Sequence, residues 1–229
     1  MDISVVIPLL NEKENISILY TKLKKVLAGL EKSYEIIPVD DHSTDGTFDT
    51  IKKLHEQDKN VRIVRLKQHY GQTAALKAGF DIAVGNIIIT LDGDLQNNPE
   101  DIPKLLKKME DGYDVVSGWR VNRKDPLIGK IIPSKIYNYI VRRITRLKIH
   151  DFGCSLRAYK REILKDIELY GEMHRYLLVL IAMKGFSIGE VEVRHNPRIY
   201  GKSKYGFRRL IRGPLDLMSI LLRRYMNSQ

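Results

Sequence analysis

The chain has 229 residues, of which 43% are hydrophobic and 29% charged, and this length and composition are typical of one globular domain and exclude a disordered chain. Its single cysteine, Cys154, excludes an intrachain disulfide framework. The net charge of +11 is unevenly distributed, with −4 in residues 1–118 and +15 in residues 119–229, and a basic half suits nucleic acid, anionic lipid headgroups or phosphorylated substrates.

The sequence predicts neither a signal peptide nor a membrane-spanning helix. The first residues, Met1-Asp2-Ile3-Ser4, have no basic stretch ahead of the apolar run that follows. The longest unbroken apolar run, 176–183, has eight residues, whereas a spanning helix needs about 20.

Residues 1–118 alternate between strand-like and helix-like segments. Runs rich in β-branched residues predict strands at 3–8, 36–39, 61–66, 86–91 and 113–117. Apolar residues at helical spacing predict helices at 12–28, 43–55, 72–84 and 101–110. Ser43-Thr44-Asp45 is expected to cap the second helix, with Ser43 or Thr44 as the cap in a capping loop. This alternation predicts an α/β fold with a mostly parallel central sheet flanked by helices, and we expect residues 1–229 to form a single domain.

After Trp119 the alternation stops and two basic amphipathic segments follow. Residues 134–147 carry apolar side chains on one stripe and arginines largely elsewhere, and residues 208–225 are similar apart from an interruption at Gly213-Pro214. Such helices can lie in a membrane interface, or they can pack their apolar stripe on the core and expose a basic back. The sequence leaves both alternatives open.

Polar clusters follow three predicted strands at the edge where parallel strands end: Asn11-Glu12, Asp40-Asp41 and Asp92-Gly93-Asp94-Leu95-Gln96. Ligands of open α/β sheets bind at this edge. The alternating oxygens of Asp92, Asp94 and Gln96 suit Mg²⁺ or Mn²⁺, which prefer oxygen ligands. The competing interpretation is an Asx turn that leads into a helix. Because the cluster follows an apolar strand, we favour the metal site.

Further residues are candidates for ligand contact. Asp40 and Asp41 could accept hydrogen bonds from a ribose or a base, or belong only to a capping loop. Six basic residues could bind phosphate or form solvated turns: Arg120, Arg123, Lys124, Arg198, Lys202 and Lys204.

Three interpretations are structural. Gly71, Ala75 and Gly79 put small residues on one helix face, which favours close packing against the sheet. Cys154 is expected to be a small buried residue. His174 is a weak candidate for a site residue, and a structural role is favoured.

These motifs, in this order, resemble the family-2 glycosyltransferases of the GT-A fold, and within them the polyprenyl-phosphate sugar synthases such as dolichol-phosphate mannosyltransferase. The stretches that carry the resemblance cover nearly the whole chain: 5–8, 11–12, 39–47, 71–73, 92–100, 117–120, 151–159 and 201–205. The resemblance implies a Rossmann-like GT-A domain. Its residues 1–118 would bind the nucleotide-sugar and metal, and residues 119–229 would bind the acceptor.

The resemblance also implies roles for individual residues. The residues implied to contact the nucleotide-sugar are Pro8, Leu10, Glu12, Asp40, Asp41, Asp92, Gly93, Asp94, Arg198 and Lys204. The implied metal ligands are Asp92, Asp94 and Gln96. The residues implied to bind the acceptor phosphate are Arg120, Lys130, Ser134 and Lys202. The implied catalytic residues are Asp92, Asp94 and Arg120. His42 stands where the family usually has glycine, which leaves the base preference open.

The implied reaction is inverting transfer of a hexose, mannose from GDP-mannose above all, to dolichyl or another polyprenyl phosphate. The alternatives are transfer of glucose or another sugar from a UDP-sugar, and a sugar-hydroxyl acceptor with Asp151 as the base to test. A phosphate monoester is largely dianionic at pH 7, so it needs no strong base. A basic nucleic-acid-binding protein is a remote alternative, because it gives no reason for the acidic clusters.

We expect Mg²⁺ or Mn²⁺ as the cofactor and no nucleic acid as a partner. The lipid acceptor implies a peripheral protein at the cytoplasmic face of a membrane. It would bind the membrane surface directly or through a membrane-anchoring partner subunit.

Overall fold

The computed structural model describes residues 1–124, 131–165 and 167–200. Within these residues the strands are β1 Ile3–Leu9, β2 Tyr34–Asp40, β3 Val64–Arg65, β4 Ile87–Thr90, β5 Val115–Arg120, β6 Arg157–Lys160 and β7 Ile188–Val193. They form one sheet in the order β3-β2-β1-β4-β6-β5-β7. Every neighbouring pair is parallel except the two pairs that β6 makes with β4 and β5. The predicted mostly parallel sheet is therefore confirmed.

Helices flank both faces of the sheet: α1 Lys13–Ala28, α2 Thr47–Gln57, α3 Gln72–Ile82, α4 Ile102–Met109, α5 Ile132–Thr145, α6 Arg161–Lys165 and α7 Leu177–Met183. Short 3₁₀ turns span Pro99–Asp101 and Met173–Tyr176. One hydrophobic core lies under α1, α2 and α4, and a second lies under α3, α5, α6 and α7. Consecutive residues of β1 alternate between the two cores, as Val5 and Val6 do, which follows from the two-residue period of a strand.

The predicted elements of residues 1–118 are present, with ends shifted by a few residues. The strand predicted at 61–66 is shorter, since β3 has only two residues. Of the predicted caps of α2, Ser43 and Thr44 are wrong. Its N-cap is Gly46, whose φ of 91° suits glycine, and the carboxylate of Asp45 accepts the Thr47 N–H at 2.9 Å.

The second half contains elements that the sequence pattern did not indicate. β6 has four residues and begins and ends with a basic residue, which masks its strand character. Helix α7 is apolar at every position and none of its residues is fully exposed, so it shows no amphipathic period. The amphipathic helix predicted at 134–147 is confirmed as α5, and the segment 208–225 lies outside the described residues. No helix in the described ranges is both long and apolar enough to span a membrane.

The small-residue face of α3 packs on the sheet as predicted for Ala75 and Gly79. Ala75 is fully buried. A Cβ added to Gly79 would lie 2.3 Å from Cγ1 of Val6, so only glycine fits there. Gly71 has a different role, because it precedes α3 at a φ of 95°.

Replacing Gly79 by alanine should destabilise the protein. Overpacking a core costs about 1–3 kcal/mol, which outweighs the gain of up to about 1 kcal/mol that alanine offers over glycine within a helix. Urea unfolding measures the difference as a lower midpoint. Gly29→Ala is the matched control, since the nearest atom to its added Cβ would be 3.5 Å away. Equal midpoints for the two variants would contradict the close packing of α3.

Candidate active site

The carboxyl ends of β1, β2 and β4 lie side by side, so the loops that follow them meet at one edge. Side chains join the first two loops. The N–H of Asn11 donates to Ser43 Oγ at 2.9 Å, and the N–H of Glu12 donates to Thr47 Oγ1 at 2.8 Å. In return, Asn11 Oδ1 accepts the Thr44 N–H at 2.8 Å. These contacts explain why Ser43 and Thr44 do not cap α2, and they fix the position of Glu12.

Asp92 and Asp94 follow β4, and their carboxylates lie at this edge of the sheet. Asp94 is 6% exposed. Burial, and then the charge of Asp92, raise the pKa of Asp94 to about 6, although Arg198 opposes this. Asp92 Oδ1 accepts a hydrogen bond from Gln72 Nε2 at 2.8 Å, and Asp94 Oδ2 lies 2.5 Å from Arg198 Nη2. The two carboxylates are thus neighbours that repel each other.

The segment 195–198 brings Arg198 to this carboxylate pair. His195 forms an antiparallel bridge with Asn97, and the N–H of Asn196 donates to the carbonyl of Gln96 at 2.9 Å. As a result, the Arg198 guanidinium also comes within 4.0 Å of Glu12 Oε1. The predicted residues Glu12, Asp94 and Arg198 therefore lie together.

The chemistry of the donors in this cluster fits a divalent cation. Two close carboxylates favour a bound cation, and hard cations prefer such oxygens while keeping positions for substrate phosphates. Gln96 Nε2 is directed to the Asn196 carbonyl at 3.5 Å, which leaves its amide oxygen as an acceptor. In the described ranges, no group of three or more His, Cys, Asp or Glu residues could hold a metal ion. The candidate protein ligands at this edge are therefore the two carboxylates and the amide oxygen of Gln96.

Asp41 binds the backbone rather than pointing to open space. Its carboxylate accepts the N–H groups of Tyr70 and Gly71 at 2.8 Å each and lies 2.8 Å from His69 Nδ1. These contacts favour a positioning role for Asp41 in place of the nucleotide contact that the resemblance implies. Asp40 is fully buried, and its Oδ2 lies 3.4 Å from Arg65 Nε.

The remaining predicted nucleotide contacts, Pro8, Leu10 and Gly93, lie on the same edge, where Pro8 and Leu10 are partly exposed and Gly93 is buried. Gly93 lies close against β1, because a Cβ added there would be 2.3 Å from Leu9 Cδ2.

Two predicted acceptor residues are engaged within the protein. Arg120 Nε and Nη2 donate to the two carboxylate oxygens of Asp151 at 2.7 and 2.9 Å. Ser134 Oγ accepts from Arg123 Nη1 at 2.7 Å. The other predicted phosphate ligands, Lys130, Lys202 and Lys204, lie outside the described residues.

Asp151 is held as an anion by its pairing. It is 3% exposed, and burial by itself opposes ionisation. The charge and hydrogen bonds of Arg120 outweigh that effect and lower the pKa of Asp151. A carboxylate with a lowered pKa is a weak general base.

Sequence reasoning missed the role of Gln72. The signal was present, because the glutamine follows a glycine that begins a helix at the ligand edge of the sheet. What the sequence did not reveal is that α3 starts beside the end of β4. Cys154 is buried as predicted.

Comparison with known proteins agrees with this geometry. The model of glycosyl transferase family 2 matches residues 4–168, and the chain belongs to this family. It is 42% identical over 225 residues to the dodecaprenyl-phosphate galacturonate synthase of Rhizobium johnstonii, an alignment that covers 96% of this chain and 67% of the relative. It is 40% identical over 220 residues to the undecaprenyl-phosphate 4-deoxy-4-formamido-L-arabinose transferase of Salmonella choleraesuis, with the same coverage.

Solved structures share the fold. Glucosyl-3-phosphoglycerate synthase from Mycobacterium tuberculosis superposes with a TM-score of 0.67 at 20% identity, over 87% of this chain and 72% of that one. The mannosyltransferase PcManGT from Pyrobaculum calidifontis superposes with a TM-score of 0.65 at 19% identity, over 91% of this chain and 60% of that one. The GT-A fold implied by the resemblance is therefore confirmed.

Replacing Asp151 by asparagine should destabilise the protein, by up to about 3–5 kcal/mol at pH 7, because it removes the carboxylate that pairs with the largely buried charge of Arg120. A carboxyl whose pKa is lower in the folded state stabilises above its unfolded pKa, here about 3.8, and this contribution is lost as the pH falls through the folded pKa. The difference between wild type and Asp151→Asn in urea unfolding should therefore shrink as the pH falls below about 4. A difference independent of pH would contradict the ion pair.

Proposed function

We propose that this protein transfers a sugar, with inversion, from a nucleotide-sugar to a polyprenyl phosphate with the help of a divalent cation. The observation that carries the proposal is the Asp92–Asp94 pair at the end of β4, in which Asp94 is buried, with Arg198 and Glu12 beside it. Both relatives named above act, by their names, on polyprenyl phosphates.

In this proposal Asp92, Asp94 and the amide of Gln96 hold the cation, which when bound neutralises charge on the leaving diphosphate. Arg198 supplies a second positive charge to the diphosphate. Glu12 contacts the nucleotide from the loop after β1, and Asp40, which is fully buried, holds the loop after β2 by accepting the Ser43 N–H. Gln72 keeps Asp92 in position through its hydrogen bond of 2.8 Å.

The acceptor in this proposal is a phosphate monoester because the site offers little general base. A sugar hydroxyl needs a base to remove its proton, and the candidate base Asp151 is paired with Arg120 and has a lowered pKa. A largely dianionic phosphate attacks without such help.

The donor sugar is the finer part of the proposal. Mannose from GDP-mannose stays a prediction, with a UDP-sugar as the alternative. The relatives are named for galacturonate and 4-deoxy-4-formamido-L-arabinose, which supports testing acidic and amino sugars beside the neutral hexoses. The fold neighbours are described in complexes with Mn²⁺, which supports including that ion.

The test is sugar transfer to a polyprenyl phosphate in detergent from a panel of donors: GDP-mannose, UDP-glucose, UDP-galactose, UDP-N-acetylglucosamine and UDP-galacturonate. Each donor is assayed with Mg²⁺, Mn²⁺ or EDTA. We expect transfer from one donor, lost in EDTA and reduced at least about 100-fold in Asp94→Asn, since charge stabilisation at the leaving group is a large term.

Asp111→Asn is the control, because Asp111 is an exposed carboxylate that pairs only with Lys108 among the described contacts. It should leave transfer unchanged. Full activity of Asp94→Asn, or transfer that resists EDTA, would contradict the proposed role of the carboxylate pair.

The lipid acceptor requires a surface that meets the membrane, and α5 offers one. Its exposed apolar side chains are Ile132, Ile136, Tyr139 and Ile144. Next to them, a surface depression of about 300 Å³ is lined by Tyr139, Arg142, Arg143, Arg146, Leu147 and Lys148. Exposed apolar residues beside a basic cluster are typical of helices that lie in a membrane interface. We therefore propose peripheral binding of α5 to an anionic leaflet, such as that at a cytoplasmic face.

Vesicle sedimentation tests this surface. Binding to anionic vesicles should weaken with salt, and Arg143→Gln should reduce it about fivefold, because one basic residue near such a surface contributes about 1 kcal/mol. Ile136→Glu should reduce it further. Ile18→Glu on α1 is the control, since Ile18 is also exposed. Equal binding by the Ile136 and Ile18 variants would rule out α5 as the contact.

A further inference from the structure

A group of buried polar side chains lies on the face of the sheet that α3, α5 and α7 cover. Arg157 of β6 pairs with Ser117 of β5 in the sheet. Tyr159 and Val115, two residues away on the same strands, belong to the core on this face. Side chains two residues apart in a strand share a face, so Arg157 and Ser117 both point into this layer.

Arg157 is a buried cation without a carboxylate partner among the described residues. It is 5% exposed, and its Nη2 donates to the Phe152 carbonyl at 2.6 Å. Within the described ranges, its Nε and the hydroxyl of the fully buried Ser117 have no hydrogen-bond partner. An unpaired buried guanidinium is strongly unfavourable, and a bound anion would remove that penalty.

A second arginine approaches the same place from the turn Met173–Tyr176. Tyr137 of α5 packs beside this turn, because its ring centroid lies 6.3 Å from that of Tyr176, the residue after Arg175. Burial raises the pKa of Tyr137, and the charges of Arg175 and Arg157 both oppose that rise. Arg175 Nη2 pairs with Glu172 at 2.8 Å. Its buried Nε has no hydrogen-bond partner in the part of the chain that the structure describes.

The cluster adjoins the candidate active site through the first turn of α3. Gln72 of this turn binds Asp92. Its neighbour Thr73 has its Oγ1 2.7 Å from Nδ1 of His174, the residue before Arg175. The turn that carries Arg175 is therefore linked to the carboxylate pair by two consecutive residues of one helix.

We infer that Arg157, Arg175 and Ser117 form an oxyanion subsite of the reaction. The inference rests on the proposed function: the oxyanion is the phosphate of the acceptor or the carboxylate of an acidic donor sugar. Arginine forks bind either group with paired hydrogen bonds. The resemblance assigns the acceptor phosphate to Arg120, but two N–H donors of Arg120 already bind Asp151. Arg157 and Arg175 each have a buried Nε–H that binds no acceptor among the described residues.

The test is thermal unfolding of the whole protein with inorganic phosphate, without donor or metal and at constant ionic strength set by chloride. A ligand that binds only the folded state raises the Tm. We expect phosphate or a hexuronate to do so in the wild type. Arg175→Gln should weaken the apparent affinity at least about tenfold, since hydrogen bonds to charged groups are strong.

Matched variants keep the inference falsifiable. Arg161→Gln removes the same charge beside Asn86, at the opposite edge of the sheet, and should keep the full shift. Ser117→Ala serves as a second test if Arg175→Gln unfolds. Asp94→Asn should lose sugar transfer but keep the phosphate shift, which separates this inference from the proposed function.

Phosphate and glucuronate distinguish the two reactants that could supply the oxyanion, the acceptor and the donor sugar. A shift with phosphate alone assigns the subsite to the acceptor, and a shift with glucuronate alone assigns it to the donor sugar. No shift in the wild type, or a shift that survives in both Arg175→Gln and Ser117→Ala, would overturn the subsite.

Discussion

The repulsion between the half-buried carboxylate of Asp92 and the buried carboxylate of Asp94, at the end of β4, is the constraint that the rest of this edge must satisfy. Asp94 would be easier to bury as a neutral residue, and its raised pKa reflects that. The fold keeps the pair by surrounding it with donors: the amide of Gln72 on one side and the guanidinium of Arg198 on the other. Each donor comes from a different segment, so the pair depends on the correct packing of α3 and of residues 195–198 against the sheet.

A series of local contacts delivers Gln72 to its position. Asp41 at the end of β2 fixes the backbone of residues 70 and 71. Gly71 then adopts a φ of 95° that starts α3, and Gly79 lets the helix lie directly on β1. The resemblance assigns Asp41 to the nucleotide, but its hydrogen bonds indicate another role. By ordering residues 70 and 71, its carboxylate can shape the site without contacting a ligand.

The sequence predicted the first half of the fold and the clustering of the acidic residues well, because both follow from simple rules. Alternating strands and helices give a parallel sheet, and residues after parallel strands must share an edge. Those rules do not predict ion pairs between residues that are far apart in the sequence. Arg120 and Asp151 are 31 residues apart, and Arg198 and Asp94 are 104 apart. Nothing in their local sequence identifies the partner, so Arg120 was predicted as a phosphate ligand while the structure ties it to a carboxylate.

Charge is distributed around the start of α3 in a way that suits two anionic reactants. Gln72 contacts a carboxylate pair, whose excess negative charge suits a cation and, through it, a diphosphate. Thr73 contacts the turn that carries Arg175, whose excess positive charge suits an oxyanion directly. Each set is only partly neutralised by its neighbours, the carboxylates by Arg198 and the arginines by Glu172, and such groups lower the stability of a fold unless ligands bind. Because binding to the folded state adds to stability, the two sets should make unfolding sensitive to different ligands. A cation should act on the carboxylates, and a phosphate or sugar acid should act on the arginines.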